Sequence, residues 1–89
     1  MKVQHDKEKQ RFTMDINGET AKVNYRMDNG KMYLTYSEVP SHLRGKGHGK
    51  KLVEKTFSKL TEEGYTAVAV CAYIKTVARR SDKWNSIIE

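Results

Sequence analysis

Two Asn-Gly pairs, Asn17-Gly18 and Asn29-Gly30, constrain the fold of this chain more than any other feature. Each lies between runs of alternating apolar and polar residues, and Asn-Gly readily takes the two positive φ angles that a two-residue hairpin turn needs. The ordered part of the chain is therefore expected to begin as an antiparallel meander. Strand one starts at Arg11, with Phe12, Met14 and Ile16 on one face and Arg11, Thr13 and Asp15 on the other. Strand two alternates Ala21, Val23, Tyr25 and Met27 with Thr20, Lys22, Asn24 and Arg26. Strand three runs from Lys31 towards Val39, with Met32, Leu34 and Tyr36 on one side and Tyr33, Thr35 and Ser37 on the other. Pro40 stops it, because proline has no N–H to give the ladder. Met1 to Gln10 are too polar to drive packing and read as a flexible N-terminal segment ahead of a single domain over 11–89.

Beyond the loop from Ser41 to Gly49, the residues Leu52, Val53, Phe57 and Leu60 recur at helical spacing, and Gly64 stands at the place of a left-handed cap. The spacing predicts a helix of about fourteen residues. Tyr65 to Cys71 is an almost continuous apolar run, the pattern of a strand covered on both faces and parallel to strand three. Ile74, Val77 and Ala78 predict a second helix from about Tyr73 to Arg80, followed by an apolar tail of Trp84, Ile87 and Ile88. The expected fold is α/β in the α+β sense: order βββαβα, a mixed sheet with an antiparallel meander, one parallel strand pair and two helices.

At 89 residues with 37% hydrophobic content, the chain fills one modest core, so a ligand is expected in a surface groove. No run approaches the roughly 18 apolar residues that cross a bilayer, and no signal segment is visible, which reads as cytoplasmic with no membrane partner. The single cysteine and three scattered histidines form no disulfide framework and no metal set. A net charge of +6 calls for an anionic partner without choosing among nucleic acid, acidic lipid and a phosphorylated cofactor.

The choice comes from the loop Arg44-Gly45-Lys46-Gly47-His48-Gly49-Lys50-Lys51, which leads into the first helix. A helix start leaves its first amides unpartnered and partly positive, and three glycines at alternate positions let the backbone aim such donors at one point. Lys46, Lys50 and Lys51 crowd the same end, where cations repel the helix dipole unless an anion is bound. The plainer reading is an ordinary connection with lysines for solubility. Neither the P-loop nor the dinucleotide glycine spacing is present.

Arg44 to Gly49 resembles the Arg/Gln-x-x-Gly-x-Gly/Ala signature of the GNAT (GCN5-related) superfamily of N-acetyltransferases, placed between a strand and a helix as in that family. Glu38-Val39-Pro40, the helix ending near Gly64, the apolar strand ending in Cys71, Tyr73-Ile74 and the Trp84 segment extend the likeness over Arg11 to Ile88. The chain looks like the minimal single-domain subgroup, without the extra elements of full-size members. The resemblance implies acetyl-CoA (coenzyme A) as cofactor and an amine as acceptor. By it, the backbone from Arg44 through Gly45, Lys46, Gly47, His48 and Gly49 to Lys50 would hold the pyrophosphate, and Glu38 and Val39 would run beside the pantetheine. The subgroup often carries His-Thr where this chain has Tyr36-Ser37, so a histidine base is missing there.

Three catalytic candidates follow, each with a plainer alternative. Cys71 would take the acetyl group as a thioester or face the CoA thiol, and is otherwise a small buried hydrophobe. Tyr73 would protonate the leaving thiolate or line the channel, and is otherwise an aromatic lid. Glu38 would accept the proton of an ammonium substrate, and is otherwise a solvated carboxylate. His48 is expected to matter through its amide, and His42 has no evident partner.

Lys51, Lys55 and Lys59 form a stripe that reads as a solvated face, or with Arg79, Arg80 and Lys83 as part of a nucleic-acid surface. That rival lacks any recognisable nucleic-acid motif. A CoA-binding protein without turnover is the other alternative. The meander edge and the apolar tail would suit a homodimer.

Overall fold

Both Asn-Gly pairs form the expected turns, with φ of 52° and 81° at Asn17 and Gly18 and of 51° and 78° at Asn29 and Gly30. In the computed structural model, which describes residues 2–89, these turns join three strands: β2 (Arg11–Ile16), β3 (Glu19–Asp28) and β4 (Lys31–Glu38). They follow β1 (Val3–Asp6) and precede α1 (His48–Glu62), β5 (Thr66–Ala69), α2 (Ala72–Arg79) and α3 (Asp82–Asn85). The sheet has the order β1-β2-β3-β4-β5, antiparallel throughout except for the parallel pair β4 and β5. This is the mixed α+β architecture that the sequence implies.

The helices supply one cover for one sheet face. Phe12, Met14, Val23, Met32 and Leu34 from the strands meet Leu52, Val53, Phe57 and Leu60 of α1 and Ile74 and Ala78 of α2, all essentially inaccessible. α1 ends as expected at Gly64: the Tyr65 amide donates to the Leu60 carbonyl at 2.9 Å and the Gly64 amide to Thr61 at 3.0 Å. Among the described residues no helix is long and apolar enough to cross a membrane.

The structure differs from the sequence reading in four places. The segment expected to be flexible contains β1, paired with β2 from Val3↔Met14 to Asp6↔Arg11. Its inward residues are Val3 and His5, and the His5 ring stacks on Phe12 with centroids 4.2 Å apart. A histidine doing the work of an apolar residue hides the strand from a hydrophobicity pattern. β5 is covered on one face only: Ala67 and Ala69 are buried, whereas Thr66 is exposed, Val68 is half-buried, and Val70 just beyond the strand is 50% exposed.

The C-terminal segment is internal packing rather than a free apolar tail. Trp84 lies 5.4 Å from Phe57, and Ile88 is buried. The Glu89 amide donates to Ala67 and its carbonyl accepts from Ala69, at 3.0 and 2.8 Å, closing the outer edge of β5. The last difference, at Tyr36, shapes the site.

Candidate functional site

β4 and β5 run side by side only as far as Leu34 and Ala69. The Leu34 carbonyl then accepts from both the Val70 and Cys71 amides at 3.0 Å. Past that point β4 continues against β3 alone, while the other chain turns into α2. The sheet is split there, and the split opens towards the N-terminus of α1.

A bulge in β4 decides which side chains face the split. Asn24 pairs with Tyr36 but Tyr25 with Leu34, so Thr35 is an extra residue. One extra residue reverses the facing of all that follow. Tyr36, expected beside Met32 and Leu34, is therefore turned outward and 46% exposed. Ser37, expected on the outer face, is turned inward, and its hydroxyl lies 3.7 Å from Cys71 Sγ.

Cys71 is the N-cap of α2, with the extended φ and ψ of −60° and 132° that such a residue adopts. Burial raises a thiol pKa, but the Ile74 amide, the Ser37 hydroxyl and the Tyr73 amide favour the thiolate and outweigh it. The thiol is held below its ordinary value.

At the other side of the split lies the glycine loop. A 3-10 turn (Ser41–Leu43) buries Leu43 and leads to Arg44, whose Nε donates back to the Val39 carbonyl at 3.1 Å. Gly47 caps α1 at φ 79°, a left-handed conformation that a side chain would strain. Among the described residues no side chain caps this helix and its first turn holds no acid, so the leading amides are left without a side-chain acceptor. Gly49 is needed for a different reason: a Cβ there would come within 3.0 Å of Tyr73 Oη and 3.3 Å of its ring.

Split and loop together enclose a groove of about 470 Å³. Among the expected site residues, Glu38, Val39, Arg44, Gly45, Gly47, Gly49 and Tyr73 line it. Ser37 and Leu52 also line it, and neither was legible as a site residue. Only the bulge signals Ser37, and nothing in the alternation of β4 announces it. Cys71 sits half-buried behind Ser37 rather than on the groove wall. Lys46 and His48 are not among the lining residues, and His48 Nδ1 is buried without a hydrogen-bond partner among the described residues. Lys50 lines a neighbouring groove instead. Glu38 is paired with Lys22 across the strands, N to O 3.6 Å, with close to half its side chain in solvent. His42, which had no evident partner, pairs with Glu19 and ties the loop to the β2–β3 hairpin.

A family model described as GCN5-related N-acetyl-transferase matches residues 11–87, which include the meander, the glycine loop and both walls of the split. Protein NATD1 of Bos taurus is 29% identical over 84 residues, covering 91% of this chain and 74% of that protein. The corresponding proteins of Gallus gallus and Homo sapiens are each 29% identical over 84 residues, with 91% of this chain and 76% and 74% of theirs covered. With the match spanning the sheet, the loop and the helices that frame the groove, the chain belongs to the GCN5-related N-acetyltransferase family.

Proposed function

We propose that this protein binds acetyl-CoA in the groove between the glycine loop and the split sheet and transfers the acetyl group to an amine. The observation that carries the reading is the junction of two features in one 470 Å³ groove: an uncapped helix N-terminus at Gly47 and a break between parallel strands at Leu34. The first offers backbone donors to a diphosphate. The second exposes strand-end backbone to an extended arm carrying amides.

The residues fit an acyl-CoA on their own geometry. Gly49 lets Tyr73 pack directly on the start of α1, where a Cβ would come within 3.0 Å of the Tyr73 hydroxyl and displace it on the groove wall. Gly45 and Gly47, with φ of 81° and 79°, turn the loop with open space beside each, since a Cβ at either would meet no atom within 4 Å. Leu52 and Val39 give the groove apolar wall beside this polar mouth. Bound acetyl-CoA supplies an activated acyl group, whose C–S bond breaks as a C–N bond forms while the amine proton ends on the departing thiol or in solvent.

The chain's own groups have separate tasks. Backbone amides from Arg44 to Lys50 bind and orient the diphosphate end, with Arg44 kept in place by its bond to Val39. Glu38, close to half in solvent, takes the amine proton directly or through water. The Tyr73 hydroxyl, over the helix start, is the one phenol on the groove wall among the described residues and the candidate to protonate the departing thiolate. Cys71, with the Ser37 hydroxyl beside it, is a nucleophile available for a thioester route.

The test is release of free CoA thiol from acetyl-CoA, followed with a panel of small amines, peptide N-termini and lysine peptides. Amine-dependent release supports transfer. Tight CoA binding with no release for any amine reduces the protein to a CoA binder.

A further inference from the structure

Beyond Tyr73 a second groove, of about 350 Å³, opens between α1 and α2. Gly49 lines the first groove, Lys50 lines the second, and Tyr73 lines both. The two are neighbours across one side chain at the start of α1.

The wall of the second groove has a consistent chemistry. Lys50 and Arg80 bring positive charge, Thr76 and Ser81 bring hydroxyls, and Glu54 brings the one carboxylate. Lys50 and Arg80 are solvent-exposed and, among the described residues, take part in no ion pair and no side-chain hydrogen bond, as is true of other surface cations such as Lys51 and Lys55; what sets these two apart is that both line one groove. The Ser81 oxygen accepts from the Trp84 amide at 3.1 Å, which leaves its own proton free to donate. Two uncommitted cations and two hydroxyls around a small groove are a set of donors in want of acceptors, the composition that suits a phosphate monoester.

Coenzyme A carries such a group: its diphosphate has the pantetheine arm on one side and a ribose 3′-phosphate on the other. With the diphosphate at the glycine loop and the arm along the split, the nucleotide must leave the loop away from β4. The geometry points to the groove between α1 and α2 as the site of that 3′-phosphate, held by Lys50 and Arg80. This rests on the acyl-CoA reading of the first groove. Arg80 presents a planar pair of donors to two phosphate oxygens, Lys50 adds a point charge from the helix start, and Glu54 opposes both. The pair would make the protein discriminate CoA from its 3′-dephospho analogue.

The test is calorimetric titration of the full chain with CoA and with 3′-dephospho-CoA. The expected result is about tenfold weaker binding of the dephospho compound, as for loss of a charge-assisted contact. Arg80→Gln should weaken CoA until the two compounds bind alike, and Glu54→Gln should widen the gap. Equal binding of the two compounds by the wild-type protein, or a preference that survives Arg80→Gln, overturns the 3′-phosphate site and leaves the first groove's reading standing. Failure of both compounds to bind overturns that reading and this site with it.

Discussion

The Ser37 hydroxyl and the Cys71 sulfur face each other at 3.7 Å across the point where β4 and β5 part. The contact exists because Thr35 is a bulge, and it joins β4 to the N-cap of α2 just beyond the last backbone hydrogen bonds between them, those from the Val70 and Cys71 amides to Leu34. Ser37→Ala is expected to raise the Cys71 pKa, read as the pH dependence of alkylation by iodoacetamide, and Ser37→Thr to restore it. The folded thiol ionises below its ordinary value, so its contribution to stability is present above the unfolded thiol's pKa and is lost as pH falls through the folded one. An alkylation profile unchanged by Ser37→Ala would show that the amides of α2 act alone.

Two neighbouring glycines should respond to alanine in opposite ways. At Gly47 the added methyl meets no atom within 4 Å, but φ of +79° is strained for any side chain, costing about 1–2 kcal/mol. At Gly49 the backbone is helical and alanine is the better helix former by about 1 kcal/mol, but its Cβ displaces Tyr73. Urea unfolding should show Gly47→Ala less stable and Gly49→Ala close to wild type, with Gly49→Ala losing CoA affinity. Equal unfolding midpoints for Gly47→Ala and wild type would contradict the left-handed cap.

The N-terminal strand is held by one nearly buried histidine. His5 Nδ1 lies 2.6 Å from Glu63 at the end of α1, and Nε2 lies 2.5 Å from Tyr25 Oη. Hydrogen bonding to His5 is the main cause that holds the Glu63 carboxyl below its usual range. That bond therefore stabilises the fold above the carboxylate's unfolded pKa and is lost as pH falls through the folded one, below about pH 4.5. Glu63→Gln should flatten the acid limb of a stability-against-pH curve. A limb of unchanged slope would place the sensitivity elsewhere.

Tyr73→Phe keeps the ring over Gly49 and removes only the hydroxyl that sits 3.0 Å from the position of a Cβ there. CoA affinity should stay the same and the rate of thiol release should fall by a factor of about a hundred or more, the usual range for a general acid. An unchanged rate would reduce Tyr73 to a wall of the two grooves.

Much of this architecture is readable from local chemistry. The Asn-Gly turns, Pro40, the glycine loop and Gly64 are backbone instructions carried by single residues, and each acts where it is written. What escapes is whatever depends on a partner distant in sequence. β1 turns inward a histidine that is favourable only because Phe12, Tyr25 and Glu63 surround it. The bulge at Thr35 is a property of the β3–β4 pairing, so alternation alone places Ser37 and Tyr36 on the wrong faces. Val68 and Val70 look like core because an apolar run does not say how many faces helices will cover; here they cover one. Lys46 lies within the signature and Lys50 directly after it, yet the fold sends Lys50 to the second groove.

The central claim is that the groove at Gly45, Gly47 and Gly49 is the cofactor site. Calorimetric titration of CoA into wild-type protein and into Gly49→Val tests it most directly, because a valine there would collide with Tyr73 and force that side chain to shift within the groove that both residues line. The account predicts micromolar binding by the wild type and none measurable by the variant. Absence of binding to the wild type, or undiminished affinity in Gly49→Val, would contradict it.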